Sequence, residues 1–194
     1  MRILGVDPGT LVVGFGCLDV QGLGGQAFPK PAVAARSADG TPLAHRVANL
    51  ARVARTTITV VSAGAVRLGR SSDPVADRLC KLAEAIGELI GDLKPEELAI
   101  EEAFFGKSVQ SALRLGESRG VILAEAARAG LVVSQFPPAR VKRSVTGSGA
   151  ASKELVASMV IRTLRLERRP ECLDVTDALA VGLCCAEEKR SFRL

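Results

Sequence analysis

Residues 2–10 read Arg-Ile-Leu-Gly-Val-Asp-Pro-Gly-Thr, and this stretch decides how the chain folds. The apolar run before Asp7 predicts a buried β-strand, and the Pro-Gly-Thr after it predicts a turn. Residues 11–20 predict a second strand that pairs with the first as an antiparallel hairpin, although Gly14 and Gly16 weaken its expected regularity. Asp7 therefore ends a buried strand, where a carboxylate is costly unless something pairs with it.

The remaining pattern predicts a mixed α/β sheet. Residues 57–68 are rich in β-branched side chains and predict a third strand. The further elements that the pattern predicts are strands over 98–104 and 131–136, and helices from residue 73 and over 109–129, 140–145, 152–166 and 174–186. Three strands in a meander, followed by parallel strands with helical crossovers, give a mixed five-stranded sheet flanked by helices.

The region between the second and third predicted strands is the least regular part of the chain. Glycines and prolines predict loops across residues 21–56, with a helical pattern over 41–55. This helix is interpreted either as a solvated surface element or as one that touches DNA.

Composition narrows the class of protein. A chain of 194 residues with 47% hydrophobic content is long enough for one globular domain with a full core. No apolar run approaches the ~20 residues that cross a bilayer, and no signal peptide is apparent, so we expect no membrane partner and a cytoplasmic location. The net charge of +5 suits a polyanionic partner without requiring one.

Cysteine and histidine usage restricts the metals that the chain can hold. The five cysteines form no Cys-x-x-Cys pair and are expected to be free thiols in a reducing compartment. His45 is the only histidine, which excludes a histidine-rich metal site. A metal must therefore be bound by oxygen, which favours Mg²⁺ or Mn²⁺ over Zn²⁺.

Three further acids resemble Asp7 in lying beside apolar sequence. Glu101 ends a predicted strand, and Asp174 and Asp177 begin the last predicted helix on one face. Taken singly, each of the four has a simple explanation: a turn cap, a solvated strand edge, or a helix N-cap. Taken together, four converging carboxylates would repel one another unless cations neutralised them. Two ions about 4 Å apart can activate water and stabilise a leaving oxygen, which is the chemistry of phosphodiester hydrolysis.

The turn after Asp7 also has a competing interpretation. It weakly resembles the first phosphate loop of actin-like sugar kinases and ATPases, which would make the chain a phosphotransferase. That class requires a second glycine-rich phosphate loop and a second lobe, and neither is evident in the sequence.

Four motifs, taken in order, resemble the RuvC family of Holliday-junction resolvases over nearly the whole chain. They lie at residues 3–10, 99–101, 111–120 and 174–180. The resemblance implies an RNase H-like fold and a homodimer. It also implies a nuclease that nicks two strands of a four-way DNA junction symmetrically, leaving 5′-phosphates and 3′-hydroxyls, in recombination and repair. RuvA and RuvB are the partners that it implies.

The same resemblance assigns roles to individual residues. Asp7, Glu101, Asp174 and Asp177 would be the catalytic carboxylates and would bind two Mg²⁺ ions, with Mn²⁺ as a substitute. The side chains expected to contact DNA are Phe104, Lys107, Arg114, Arg119, Lys142 and Lys153. Phe104 can equally be an ordinary core residue, and the alternative for Lys142 and Lys153 is a solvated surface lysine. The helix over 109–129 would form the dimer interface.

One departure from the family concerns length. Residues 1–194 are expected to form a single nuclease domain in which about 22–57 is an insertion that the family does not usually carry. A junction-binding protein that no longer cleaves remains the alternative. That alternative predicts a missing carboxylate, and all four are present.

Overall fold

The computed structural model describes residues 1–22, 56–102 and 109–191. Within these ranges five strands form one sheet: β1 (Arg2–Asp7), β2 (Val12–Gln21), β3 (Thr57–Arg67), β4 (Glu97–Glu101) and β5 (Val132–Phe136). The same ranges contain five helices: α1 (Val75–Leu93), α2 (Val109–Arg128), α3 (Pro138–Thr146), α4 (Lys153–Leu164) and α5 (Leu173–Ser191).

The sheet has the mixed topology that the sequence predicts. Its strand order is β3-β2-β1-β4-β5. The first three strands pair antiparallel, whereas β4 is parallel to β1 and β5 is parallel to β4. The predicted strand over 98–104 is shorter than expected at its C-terminal end, because β4 stops at Glu101.

Several predictions fall outside the described residues. These are the helix over 41–55 and His45, which lie within 23–55, and Phe104 and Lys107, which lie within 103–108. Most of the expected insertion at 22–57 is in the first of these gaps. No helix within the described ranges is both long enough and apolar enough to cross a membrane.

Helices cover both faces of the sheet and create two apolar cores. On one face α5 lies against β1 and β2, with α3 and α4 packed around it. On the other face α1 and α2 pack together over a second core that includes Leu4, Val6 and Ile86. Because α5 lies between the sheet and the helices α3 and α4, every residue from 178 to 186 is buried.

Glycines let α5 approach the sheet more closely than any residue with a side chain would allow. A Cβ atom added at Gly5 on β1 would lie 2.1 Å from the carbonyl oxygen of Ala178, and one added at Gly14 on β2 would lie 2.2 Å from the carbonyl oxygen of Asp174. Both distances are far inside van der Waals contact. Gly14, which weakened the expected regularity of β2, therefore has a packing role in a strand that extends over ten residues.

We expect the Gly5→Ala substitution to lower the free energy of unfolding by about 1–3 kcal/mol or more, because the added methyl group must displace the backbone of α5. The Gly91→Ala substitution is the matched control, since nothing lies within 4 Å of a Cβ atom at that position on α1. It should stabilise the protein by about 0.5–1 kcal/mol through helix propensity. Urea unfolding measures both, and equal effects would contradict the role given to Gly5.

Candidate active site

Asp7 lies at the end of the central strand, and the loop after it is held in place. It pairs with Gly14 in the β1–β2 register and is half-buried. Arg78 on α1 donates from Nη1 to the carbonyl oxygen of Thr10 at 2.7 Å, and the amide of Leu68 donates to the carbonyl oxygen of Leu11 at 2.8 Å. These bonds fix the turn that follows Asp7.

Glu101 ends the strand next to β1. The parallel register pairs Val6 with Ile100, so the next positions along the two strands are Asp7 and Glu101. Glu101 is half-buried, whereas Glu102 is exposed, as alternation along a strand predicts. The two terminal carboxylates therefore lie at adjoining strand ends on one edge of the sheet.

Asp174 and Asp177 reach the same edge from the first turn of α5. The helix begins at Leu173, so Asp174 lies inside its first turn and is not the N-cap. Both carboxylates are half-buried. The close contact over Gly14 brings the backbone of Asp174 onto β2, beside the end of β1. We call Asp7, Glu101, Asp174 and Asp177 the acid cluster.

Two lysines face the acid cluster. Nζ of Lys153 lies 3.0 Å from Oδ2 of Asp177. Lys153 is the first residue of α4, whose N-cap Ser152 accepts a hydrogen bond from the amide of Leu155 at 3.2 Å. Lys142 on α3 is half-buried and near enough to Glu101 to lower the pKa of that carboxyl.

The electrostatics of the acid cluster are those of crowded, partly buried charges. Burial raises the pKa of the Asp7 carboxyl to about 7, the other three carboxylates add to this rise, and Lys153 opposes it. Burial and the charge of Asp177 raise the pKa of Glu101 in the same way. The hydrogen bond to Asp177 is the main reason that the pKa of Lys153 is raised. The site therefore has an excess of negative charge that a bound cation would relieve.

The chemistry of the acid cluster fits a hard divalent cation. Its donors are carboxylate oxygens, which Mg²⁺ and Mn²⁺ prefer. In the side-chain conformations shown, however, no three His, Cys, Asp or Glu residues within the described ranges are arranged to hold an ion together. Asp177 is instead paired with Lys153. The fit thus rests on the donor set and its charge, and ion binding would require the carboxylates to reorient.

The arginines predicted to contact DNA lie on α2 and have partners within the protein. Nη1 of Arg114 lies 3.2 Å from Oε2 of Glu117 on the helix surface. Nε of Arg119 donates to the carbonyl oxygen of Glu101 at 3.2 Å, and its Nη2 donates to the side-chain oxygen of Gln135. Arg119 therefore ties together the ends of β4 and β5, which sequence patterns did not indicate.

Fold and site together define a class of protein. A mixed sheet in this order, with a buried helix that carries two acids to the ends of the central strands, is an RNase H-like α/β arrangement. Acid clusters that suit divalent ions at such an edge are typical of metal-dependent phosphodiester hydrolysis.

Known proteins identify the family. The model of the family described as crossover junction endodeoxyribonuclease RuvC matches residues 46–185. The RuvC of Chlorobium phaeovibrioides is 40% identical over 185 residues, which are 95% of this chain and 80% of the relative. The RuvC of Heliobacterium modesticaldum is 38% identical over 186 residues, with coverages of 96% and 94%. The chain therefore belongs to the RuvC family.

Solved structures agree with this membership. The Thermus thermophilus RuvC structure aligns with a TM-score of 0.72 at 26% identity, covering 98% of this chain and 96% of that one. The same RuvC in complex with its Holliday junction substrate aligns with a TM-score of 0.73 at 24% identity, with the same coverages. The family-model match includes Glu101, Asp174 and Asp177 but begins after Asp7. The place of Asp7 in the acid cluster therefore rests on its geometry.

We expect the Asp7→Asn substitution to stabilise the metal-free protein at pH 8 by about 1–3 kcal/mol, because it removes a charge that folding buries among like charges. The pKa of Asp7 is about 7 in the folded state against an ordinary 3.8, so the folded state binds more protons between these values. The metal-free wild type should accordingly lose stability as the pH rises through this window, and the variant should lose less.

Thermal unfolding in a chelator measures the stability of the metal-free proteins. Thermal unfolding in Mg²⁺ tests whether Asp7 helps to bind the ion. Mg²⁺ should raise the midpoint of the wild type more than that of the Asp7→Asn variant. Asp92→Asn is the matched control, since Asp92 is exposed on α1. Equal Mg²⁺ responses in the wild type and the Asp7→Asn variant would remove Asp7 from the ion-binding set.

Proposed function

We propose that this protein resolves four-way DNA junctions by symmetric paired nicks that leave 5′-phosphate and 3′-hydroxyl ends, in homologous recombination and DNA repair. The observation that carries the proposal is the acid cluster, gathered with Lys153 at one sheet edge in a chain of the RuvC family. The proposal treats residues 1–194 as one catalytic domain that works in the cytoplasm.

The acid cluster would hold two Mg²⁺ ions, with Mn²⁺ as an alternative. When bound, such ions would activate a water and stabilise the leaving oxygen of the phosphodiester. The protein supplies rigidity, because Asp7 and Glu101 end paired strands and the other two acids stand on a buried helix. Fixed donors of this kind position reacting groups without rearrangement during the reaction.

Lysines would offset charge on the phosphate. Lys153 is exposed over 63% of its side chain although it pairs with Asp177. If Asp177 turns to an ion, the Lys153 ammonium becomes available to a phosphate oxygen beside the cluster. Lys142, which is near enough to Glu101 to lower the pKa of that carboxyl, would act similarly. For Phe104 and Lys107, contact with the junction is proposed from the family resemblance alone.

Arg119 and Arg114 receive different roles in this proposal. Arg119 supports the end of β4 through the carbonyl oxygen of Glu101, so it acts on the site by positioning. Arg114 is half-buried on the surface of α2 and shares its charge with Glu117. Exchange of that glutamate for a DNA phosphate would let Arg114 contact the backbone of a junction arm.

A homodimer would place two acid clusters on the two strands that a symmetric junction presents. The exposed side of α2 suits a second copy of the chain, since Val109 is 77% exposed and Leu113 is 66% exposed. Gly116 and Gly120 continue the same side of the helix, with nothing within 4 Å of their Cβ positions. A neighbouring helix can approach closely there. RuvA and RuvB are the further partners that we propose from the family.

We expect the purified protein with Mg²⁺ to cut a synthetic four-way junction into two nicked duplexes that DNA ligase can reseal. The Asp7→Asn variant should bind the junction in Ca²⁺ but lose cleavage in Mg²⁺ by at least about 10³-fold, because a metal-binding carboxylate is gone. A linear duplex of the same sequence is the substrate control. Wild-type binding without cleavage, across Mg²⁺, Mn²⁺ and several core sequences, would instead support a non-cleaving junction-binding protein.

We expect the Leu113→Asp substitution to convert a dimer to a monomer, because it places a charge in an apolar helix–helix contact. Analytical ultracentrifugation measures the change, and paired nicking should become single, uncoordinated nicking. Ala76→Asp is the matched control, since it adds the same charge to an exposed position on a different helix, α1. A dimer that survives Leu113→Asp would place the interface elsewhere.

A further inference from the structure

A groove lies along the edge strand β3 on the side of the sheet that carries α5. Its second wall is the connection 165–172, which links α4 to α5. Two adjoining cavities of about 950 and 840 Å³ make up the groove, and Val60, Leu166 and Arg168 line both of them. The groove is therefore continuous along the strand.

An extra residue in β3 places small side chains along the floor of this groove. The register moves from Cys17–Ser62 to Leu18–Val60, so Val61 has no partner on β2. Side chains alternate along a strand, and one extra residue reverses the alternation. Ala63 and Ala65 consequently face the same side of the sheet as Val60, and they line the groove with small side chains. A bulky partner can approach this floor closely.

The walls of the groove are cationic. The charged residues that line it are Arg67, Arg165, Arg168, Arg169 and Arg190, against Glu167 and Glu171. All five arginines are exposed. No ion pair between described residues involves any of them. Guanidinium groups without carboxylate partners are well suited to bind phosphates, because their planar donors match two phosphate oxygens at once.

One end of the groove adjoins the acid cluster. Cys172 and Val175, which flank Asp174 in sequence, line the groove together with Leu179. From there the floor follows β3, whose 11 residues span roughly 35 Å at about 3.3 Å per residue. That length matches about ten base pairs of duplex, at about 3.4 Å of axis per phosphate on one strand.

We propose that this groove binds one duplex arm of the DNA substrate through its phosphates and carries that arm away from the acid cluster. The inference rests on the proposed function, because it assumes that DNA enters the acid cluster. An extended acidic peptide added to the edge of β3 is the competing occupant. Continuity with the acid cluster favours DNA, since a polyanion bound beside Asp174 can continue along the arginines of the groove.

The Arg168→Gln/Arg169→Gln double variant tests the proposal, because both positions are exposed in the connection outside any helix. We expect its Kd for a junction with 20-base-pair arms to rise about tenfold in Ca²⁺ near 0.1 M salt. The slope of log K against log salt should fall by about 2, since each arginine that no longer neutralises a phosphate lowers it by about one unit.

Junctions with arms of different length distinguish DNA binding in this groove from a general effect of protein charge. The Arg165→Gln/Arg190→Gln variant is changed in the far part of the groove, so it should weaken binding of the long-armed junction. It should bind junctions with arms of about 5 base pairs like the wild type, because such arms end before that part. The Lys81→Gln/Arg128→Gln variant removes the same charge from exposed positions on α1 and α2, and it should bind like the wild type on both junctions. Thermal unfolding verifies that each variant is folded.

Each result decides between the possibilities. Unchanged binding of the long-armed junction by the Arg168→Gln/Arg169→Gln variant overturns the proposal, as does an equal weakening on long and short arms by the Arg165→Gln/Arg190→Gln variant. Unchanged DNA binding together with weakened binding of a poly-glutamate peptide would assign the groove to an acidic peptide instead. Binding and its salt dependence are measured without cleavage. A wild-type protein that binds the junction but never cuts it would therefore contradict the resolvase proposal, while the test of DNA binding in the groove would still be valid.

Discussion

The close approach of α5 to the β1–β2 hairpin is the constraint on which the rest of the structure depends. It exists because Gly5 and Gly14 leave no side chain between the strands and the backbone of the helix. Since Asp174 lies directly above Gly14, the same contact that builds the core also sets the distance from the helix acids to Asp7. Packing and chemistry therefore share one interface, and a change at either glycine would alter both.

A buried polar network fixes the opposite end of α5. Glu97, at the start of β4, accepts hydrogen bonds from Ser134 Oγ at 2.5 Å and from Cys185 Sγ at 3.3 Å, and it pairs with Lys189 Nζ at 2.9 Å. Burial and the Glu97 carboxylate raise the pKa of the Cys185 thiol, so it stays protonated and able to donate. The helix is thus held at both ends, by backbone contact beside the acid cluster and by this network at the far edge of the sheet.

Much of this arrangement could be predicted from the sequence, and the remainder depends on contacts between distant residues. Strand and helix patterns sufficed for the mixed sheet because apolar periodicity is a local property. The acids stood out because carboxylates are rare beside buried sequence. Gly14, by contrast, could not be distinguished from a strand-weakening glycine, since its role depends on a helix some 160 positions later. Glu97 and the structural role of Arg119 were missed for the same reason, because their partners lie on other elements.

The repulsion within the acid cluster explains why its supports are so extensive. Four crowded carboxylates repel one another. They would move apart if the strand ends and the helix turn that carry them could shift toward solvent. Arg78 fixes the turn after Asp7, Arg119 fixes the end of β4, and the glycine contact fixes α5. The fold therefore stores unfavourable electrostatic energy that the cation proposed for this site would release. In the proposed site, affinity for the cation would arise from the rigidity of the scaffold as well as from the number of oxygen ligands.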